Sequence, residues 1–88
     1  MITGYYVRSL SGRDAGKVYI VIKQEGDMLY LSDGMRRSME NPKKKKEKHV
    51  QIIKKNGRLE KISNEEIKQA VRQYEKKQGN EMSGREDA

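Results

Sequence analysis

Apolar and polar residues alternate with a period of two through most of the first half of this chain, and take up a helical period only near its end. Tyr5 to Leu10 places Tyr5 and Val7 on one face and Tyr6 on the other, the spacing of a first strand. Lys17 to Lys23 is the clearest strand, with Val18, Ile20 and Ile22 pointing one way and Tyr19 and Val21 the other. Its β-branched residues suit a pleated backbone. Because both faces are apolar, this segment belongs in the middle of a tightly curled sheet and not in a flat one with a wet side. Gln24-Glu25-Gly26-Asp27 reads as a turn, and Met28 to Ser32 returns as the next strand.

Asp33-Gly34 predicts a tight hairpin, since a type I′ turn needs positive φ at both central residues. It should send Met35 to Met39 back as a short strand, with Arg36 and Arg37 on opposite faces. Asn41-Pro42 ends regular structure, because proline removes a donor and restricts the residue before it. The run Lys43-Lys44-Lys45-Lys46-Glu47-Lys48 has nothing apolar to bury and repels itself, which predicts a flexible loop. His49 to Ile53 resumes the alternation as a closing strand, Val50 and Ile52 inward. Asn56-Gly57 predicts a further hairpin, with Arg58 to Ile62 pairing back.

Ser63 stands three residues before Glu66, a capping box that opens a helix. Ile67, Ala70, Val71 and Tyr74 follow as one apolar stripe at i, i+3, i+4 and i+7. Lys76 and Lys77 suit a last turn, and Gly79 a stop. A stripe this regular is core packing, here a lid over one open end of the sheet. Gly79 to Ala88 is nearly devoid of apolar residues and is expected to be disordered. The sum is a mainly β fold: about five short strands in a small, strongly bent barrel with one C-terminal helix. An open meander under a helix is the other arrangement these elements allow. The barrel is assigned to 1–54, a hairpin or linker and the capped helix to 55–78, and the tail to 79–88.

At 88 residues, 33% of them hydrophobic and none Trp or Phe, the chain makes one small domain cored by Val, Ile, Leu, Met and five Tyr. The absence of Cys excludes a disulfide framework and thiolate metal sites, and fits a reducing compartment. No apolar run approaches the roughly 20 residues of a membrane span. A soluble, cytoplasmic protein, monomeric when free, is expected. His49 is the single histidine, so the usual two-histidine zinc sites are out of reach. Gly12 and Gly16 lack the spacing of a phosphate-binding P-loop. The carboxylates are scattered through turns and the helix. No enzymatic activity, cofactor or metal is expected.

Charge changes the picture. The net charge is +7, and the segment from Gly34 to Lys61 alone carries +8. Such a block is either a solvated face or the footprint of a phosphate backbone. Gly12-Arg13-Asp14-Ala15-Gly16-Lys17 connects the first two strands with two glycines, an Asp able to bond its own following backbone, and flanking cations. Without side chains on the glycines, a polyanion can approach that backbone closely. Arg13, Gly16, Lys17, Arg36, Arg37, Lys43, Lys44, Lys45, Lys46, Lys48 and His49 come from connections and strand ends that a small barrel can gather on one side. They are the candidate nucleic-acid contacts. Tyr5, Tyr6, Tyr19 and Tyr30 offer stacking faces for unpaired bases, although most are needed for the core.

The run from Gly4 to Val21, with Gly12 and Asp14-Ala15-Gly16-Lys17 at its centre, resembles a KOW motif. Together with Leu29 to Gly34 it is similar to the opening of the ribosomal protein L14e family. The likeness spans roughly 1–51, and the Lys-rich segment after Pro42 resembles small bacterial L14e-like KOW proteins. It implies an SH3-like barrel that binds ribosomal or other structured RNA, with Arg13, Gly16 and Lys17 in the loop that touches it. Arg36, Arg37 and the lysine run are candidates from charge. KOW domains also dock on ribosomal proteins or RNA polymerase, so a protein-interaction module of the translation or transcription machinery is the alternative.

Overall fold

Strand β2 (Val18–Glu25) runs through the middle of the protein with Ile20 and Val21 wholly buried on its opposite faces. The structure is a computed structural model and describes residues 2–53 and 57–87, the last eleven by backbone. β2 pairs antiparallel with β1 (Tyr6–Ser9) on one side and β3 (Met28–Ser32) on the other. Beyond β3 lies β4 (Lys43–Lys46), and beyond β1 lies β5 (Val50–Ile52). The order β4-β3-β2-β1-β5 is a single five-stranded antiparallel sheet. With the one C-terminal helix, α1 (Asn64–Asp87), it is a mainly β architecture consistent with a small SH3-like fold.

The two edges are joined by a single 3-10 turn, Glu47–His49. That short link holds β4 and β5 near each other at one corner, so the sheet has to curl. A bulge between Val21 and Lys23 sharpens the bend of β2. The concave face is filled by Val7, Tyr19, Val21, Leu29 and Leu31, with Val50 and Ile52 at its margin. The other face carries Tyr6, Val18 and Ile20 beneath Ile67, Ala70 and Val71 of the helix. This is why β2 is apolar on both sides. The helix therefore covers the outer face of β1 and β2, where the periodicity had pointed to a lid over an open end.

The helix starts as expected, with the Glu66 amide donating to Ser63 Oγ at 3.2 Å. It does not stop at Gly79 but continues to Asp87. A glycine inside a helix costs about 1 kcal/mol relative to alanine, a penalty that weakens a helix without ending it. The chain's single proline, Pro42, lies far upstream.

Two expectations for the middle of the chain are overturned. Residues 35–39 form no strand; they belong to a wide loop. Asp33 closes that loop with its side chain, accepting from the Met35 and Arg37 amides at 2.8 and 3.0 Å. Gly34 does have positive φ (76°), but what confines it to glycine is the helix: a Cβ there would sit 2.6 Å from the Lys68 amide nitrogen. The return strand is instead the lysine run, β4, paired with β3 from Met28↔Lys46 to Leu31↔Lys43. Unmet β3 backbone groups outweigh the poor strand propensity of lysine. Arg58 pairs not with β5 but as an isolated bridge to Tyr5. Asn56, the first residue of the expected second hairpin, lies outside the described residues.

Candidate nucleic-acid interface

The loop from Leu10 to Lys17 is held by reciprocal backbone bonds at its base, Ser9 N–H to Lys17 O at 3.0 Å and Gly16 N–H to Ser9 O at 2.8 Å. Inside it the Ala15 amide donates to Gly12 O and the Lys17 amide to Asp14 O. The Asp14 carboxylate does not bond the turn's own backbone, as its position suggested. It turns inward and is 7% exposed. Its Oδ1 accepts from Ser9 Oγ and from Lys45 Nζ, each at 3.0 Å, and its Oδ2 from the Tyr19 hydroxyl at 3.4 Å. Lys45 Nζ also donates to Ser11 O at 2.8 Å. The loop is thus pinned from below to β4.

Arg13 and Lys17 are left on the exposed side. The 33–42 loop brings Arg36 and Arg37 opposite them, and β4 contributes Lys43. These five cations, with Asn41, Asp33, Asp14 and Tyr19, line one cleft of about 500 Å³. Both carboxylates are already occupied by the internal bonds given above, so the cleft keeps a positive surplus. Among the described residues the ion pairs are Lys45–Asp14 and Lys23–Glu25, and neither uses a cleft cation. Gly16, preceding the cleft residue Lys17, has φ 89° and nothing within 4 Å of where a Cβ would stand, so a ligand can approach its Cα closely although its amide is taken by Ser9 O.

The electrostatics follow from burial. Burial raises the Asp14 carboxyl, but the hydrogen bonds from Lys45 and Ser9 and the charges of Lys45 and Lys43 outweigh it and hold it below the ordinary value. Burial, reinforced by Asp14 and Asp33, pushes the Tyr19 phenol up to about 12. Tyr19 therefore enters the cleft floor as a neutral donor, 3% exposed and with no ring face to offer a base.

Of the predicted contacts, Arg13, Lys17, Arg36, Arg37 and Lys43 meet in the cleft and Gly16 adjoins it. Lys45 faces the same side but is consumed by Asp14. Lys44 and Lys46 alternate onto the opposite face of β4. Lys48 and His49 are exposed in the 3-10 turn, away from the cleft lining. A pattern reading misses Asn41, takes Asp14 and Asp33 for turn residues only, and takes Tyr19 for a stacking face. Asp14 had one signal, being the only acidic residue between Tyr5 and Gln24. Among the described residues no group of three or more His, Asp or Glu side chains could hold a metal ion, and no helix is long and apolar enough to cross a membrane. No protein-family model and no curated protein matches the chain.

Proposed function

We propose that this protein is a non-enzymatic RNA-binding module whose cleft between the Arg13–Lys17 loop and the 33–42 loop clamps a phosphate backbone. The observation that carries this reading is the convergence of Arg13, Lys17, Arg36, Arg37 and Lys43, from three separate segments, on one concavity, with no carboxylate among the described residues ion-paired to them. Cations left unpaired and facing each other are repulsive in the free protein, and a polyanion relieves that repulsion. The guanidinium groups add bidentate phosphate geometry. The resemblance of Gly12, Asp14-Ala15-Gly16-Lys17 and Asp33-Gly34 to the L14e pattern favours structured RNA, ribosomal RNA in particular, over DNA. No base-reading code is visible in the cleft, so the contact is to backbone and shape.

Fluorescence anisotropy with structured ribosomal RNA fragments and duplex DNA over a salt series tests this. RNA should bind more tightly, with affinity falling by close to 0.7–0.9 of a log unit per log unit of salt for each phosphate neutralised, and so a slope of roughly −4 for five contacts. Lys17→Gln with Arg36→Gln should lower that slope by about two. Equal weak binding to RNA and DNA that vanishes by about 150 mM salt would mean a generic cationic surface. A protein partner retained in high salt after nuclease treatment would then be the site's occupant.

A further inference from the structure

The helix packs against β1 and β2 on the outer face of the sheet. Toward the β2–β3 turn the same face carries a row of three side chains set directly across three strands, a half-buried Tyr30 between exposed Lys23 and Lys44. Lys23 pairs with Tyr30 in the β2–β3 register, and Tyr30 pairs with Lys44 in the β3–β4 register. Lys23 reaches this face only because of the bulge after Val21; strict alternation would have turned it to the concave side. Its ammonium lies 5.3 Å from the Tyr30 ring centroid, and that of Lys44 lies 5.6 Å from it. The Tyr30 hydroxyl donates to Glu25 Oε1 at 2.7 Å, which fixes the ring's tilt. Lys46 follows two residues along β4, on the same face.

We propose that the Lys23–Tyr30–Lys44 row is a second nucleic-acid contact, one that takes an unpaired nucleotide. The inference rests on the reading of the cleft as an RNA site. Exposed cation–π contacts are weak, and both lysine stems are flexible. A phosphate that draws aside the Lys44 ammonium, Lys23 being also held by Glu25 at 3.4 Å, uncovers a ring face on which a base stacks, so the nucleotide replaces one weak contact with a charge pair and a stacked pair. Tyr30 is suited to this where Tyr6 and Tyr19 are not, since those two are buried. The two surfaces are also contiguous: Lys43 belongs to the cleft and Lys44 to the row, on opposite faces of an edge strand. An RNA whose structured part fills the cleft can therefore pass its single-stranded flank around the β4 edge onto Tyr30. The module would then prefer RNA at a junction between paired and unpaired segments.

Two hairpins test this, one blunt and one with a short unpaired purine tail, titrated against the full chain by anisotropy at one salt concentration. The tailed hairpin should bind the wild-type protein roughly tenfold more tightly, the scale of one stacked base. Tyr30→Leu should erase that advantage and leave the blunt hairpin unchanged, and Tyr30→Phe should keep it; thermal melts of both variants check that they fold. If Tyr30→Leu retains the tail preference, or the wild type has none, the row only blunts an exposed sheet edge and the inference is overturned while the cleft reading stands. Loss of blunt-hairpin binding in Lys17→Gln/Arg36→Gln, with the tail preference intact, supports two separable contacts. Failure of the wild type to bind either hairpin at low salt overturns both readings.

Discussion

Lys45 Nζ lies 3.0 Å from Asp14 Oδ1 across 31 residues of chain, and both side chains are about nine-tenths buried. This pair fastens the Arg13–Lys17 loop to the edge strand, and so sets the distance between the loop's cations and Lys43. It makes Lys45 a positioning residue, although it sits in the middle of four lysines that read alike. Removing one partner leaves the other charge buried and unmatched, which costs several kcal/mol in buried pairs. Lys45→Met should destabilise the fold by about 3 kcal/mol. Adding Asp14→Asn should recover part of that loss, a non-additivity that a double-mutant cycle in urea measures.

The same network gives opposite pH signatures at the two ends of the scale. The Asp14 carboxyl is held below its ordinary value in the folded protein. Its contribution is complete above the unfolded value of about 3.9 and is lost as pH falls through the folded one. The Tyr19 phenol is raised to about 12. Its contribution is complete below the unfolded value of about 10 and is lost as pH rises from there toward the folded value. Urea unfolding as a function of pH should show the gap between wild type and Asp14→Asn closing below about pH 4. The gap between wild type and Tyr19→Phe should close instead above about pH 10.

Asn64 ties the helix to the arginine loop. Its Oδ1 accepts from the Met39 amide at 2.8 Å and its Nδ2 donates to Glu40 Oε1 at 2.8 Å. Asn64→Ala strands the Met39 amide, at about 1–2 kcal/mol. Hydrogen exchange at Met39 should speed up, and RNA affinity should fall with no change in salt slope, because no phosphate contact is removed.

Glycine substitutions separate turn geometry from close packing. Gly26 (φ 59°) has open space where a Cβ would stand, so Gly26→Ala carries only the left-handed penalty of about 1 kcal/mol. Gly34→Ala adds a collision with the backbone of the first turn of α1 and should cost at least twice as much. Thermal melts of the two variants rank them. Equal losses would mean that the helix can shift away from the loop.

Much of the fold was legible along the chain because the signals are local. The two-sided alternation of β2, the Gly26 turn and the Ser63 cap each depend on neighbours a few residues apart, and all are present. The site was legible only in part. Charge and the glycine-bearing loop marked Arg13 and Lys17, but four consecutive lysines carry no local mark of which will face inward. That was decided by pairing with β3: the unsatisfied backbone of Met28 to Leu31 draws the run into a strand, and strand alternation then divides it. Lys43 goes to the cleft, Lys45 to Asp14, and Lys44 and Lys46 to the outer face. Similarly, Asp33-Gly34 has the local form of a hairpin, yet the loop stays wide because the Asp33 side chain closes it and the helix fills the space above Gly34. The sequence by itself determined the extension of β1, β2, β3 and β5, the turn at Gly26 and the start of α1, since sterics and periodicity act over a few residues. Which lysine lines the cleft and which is structural was decided by pairing with β3, 12 to 18 residues earlier, and by Asp14, 31 residues from Lys45, contacts that only the tertiary structure brings together.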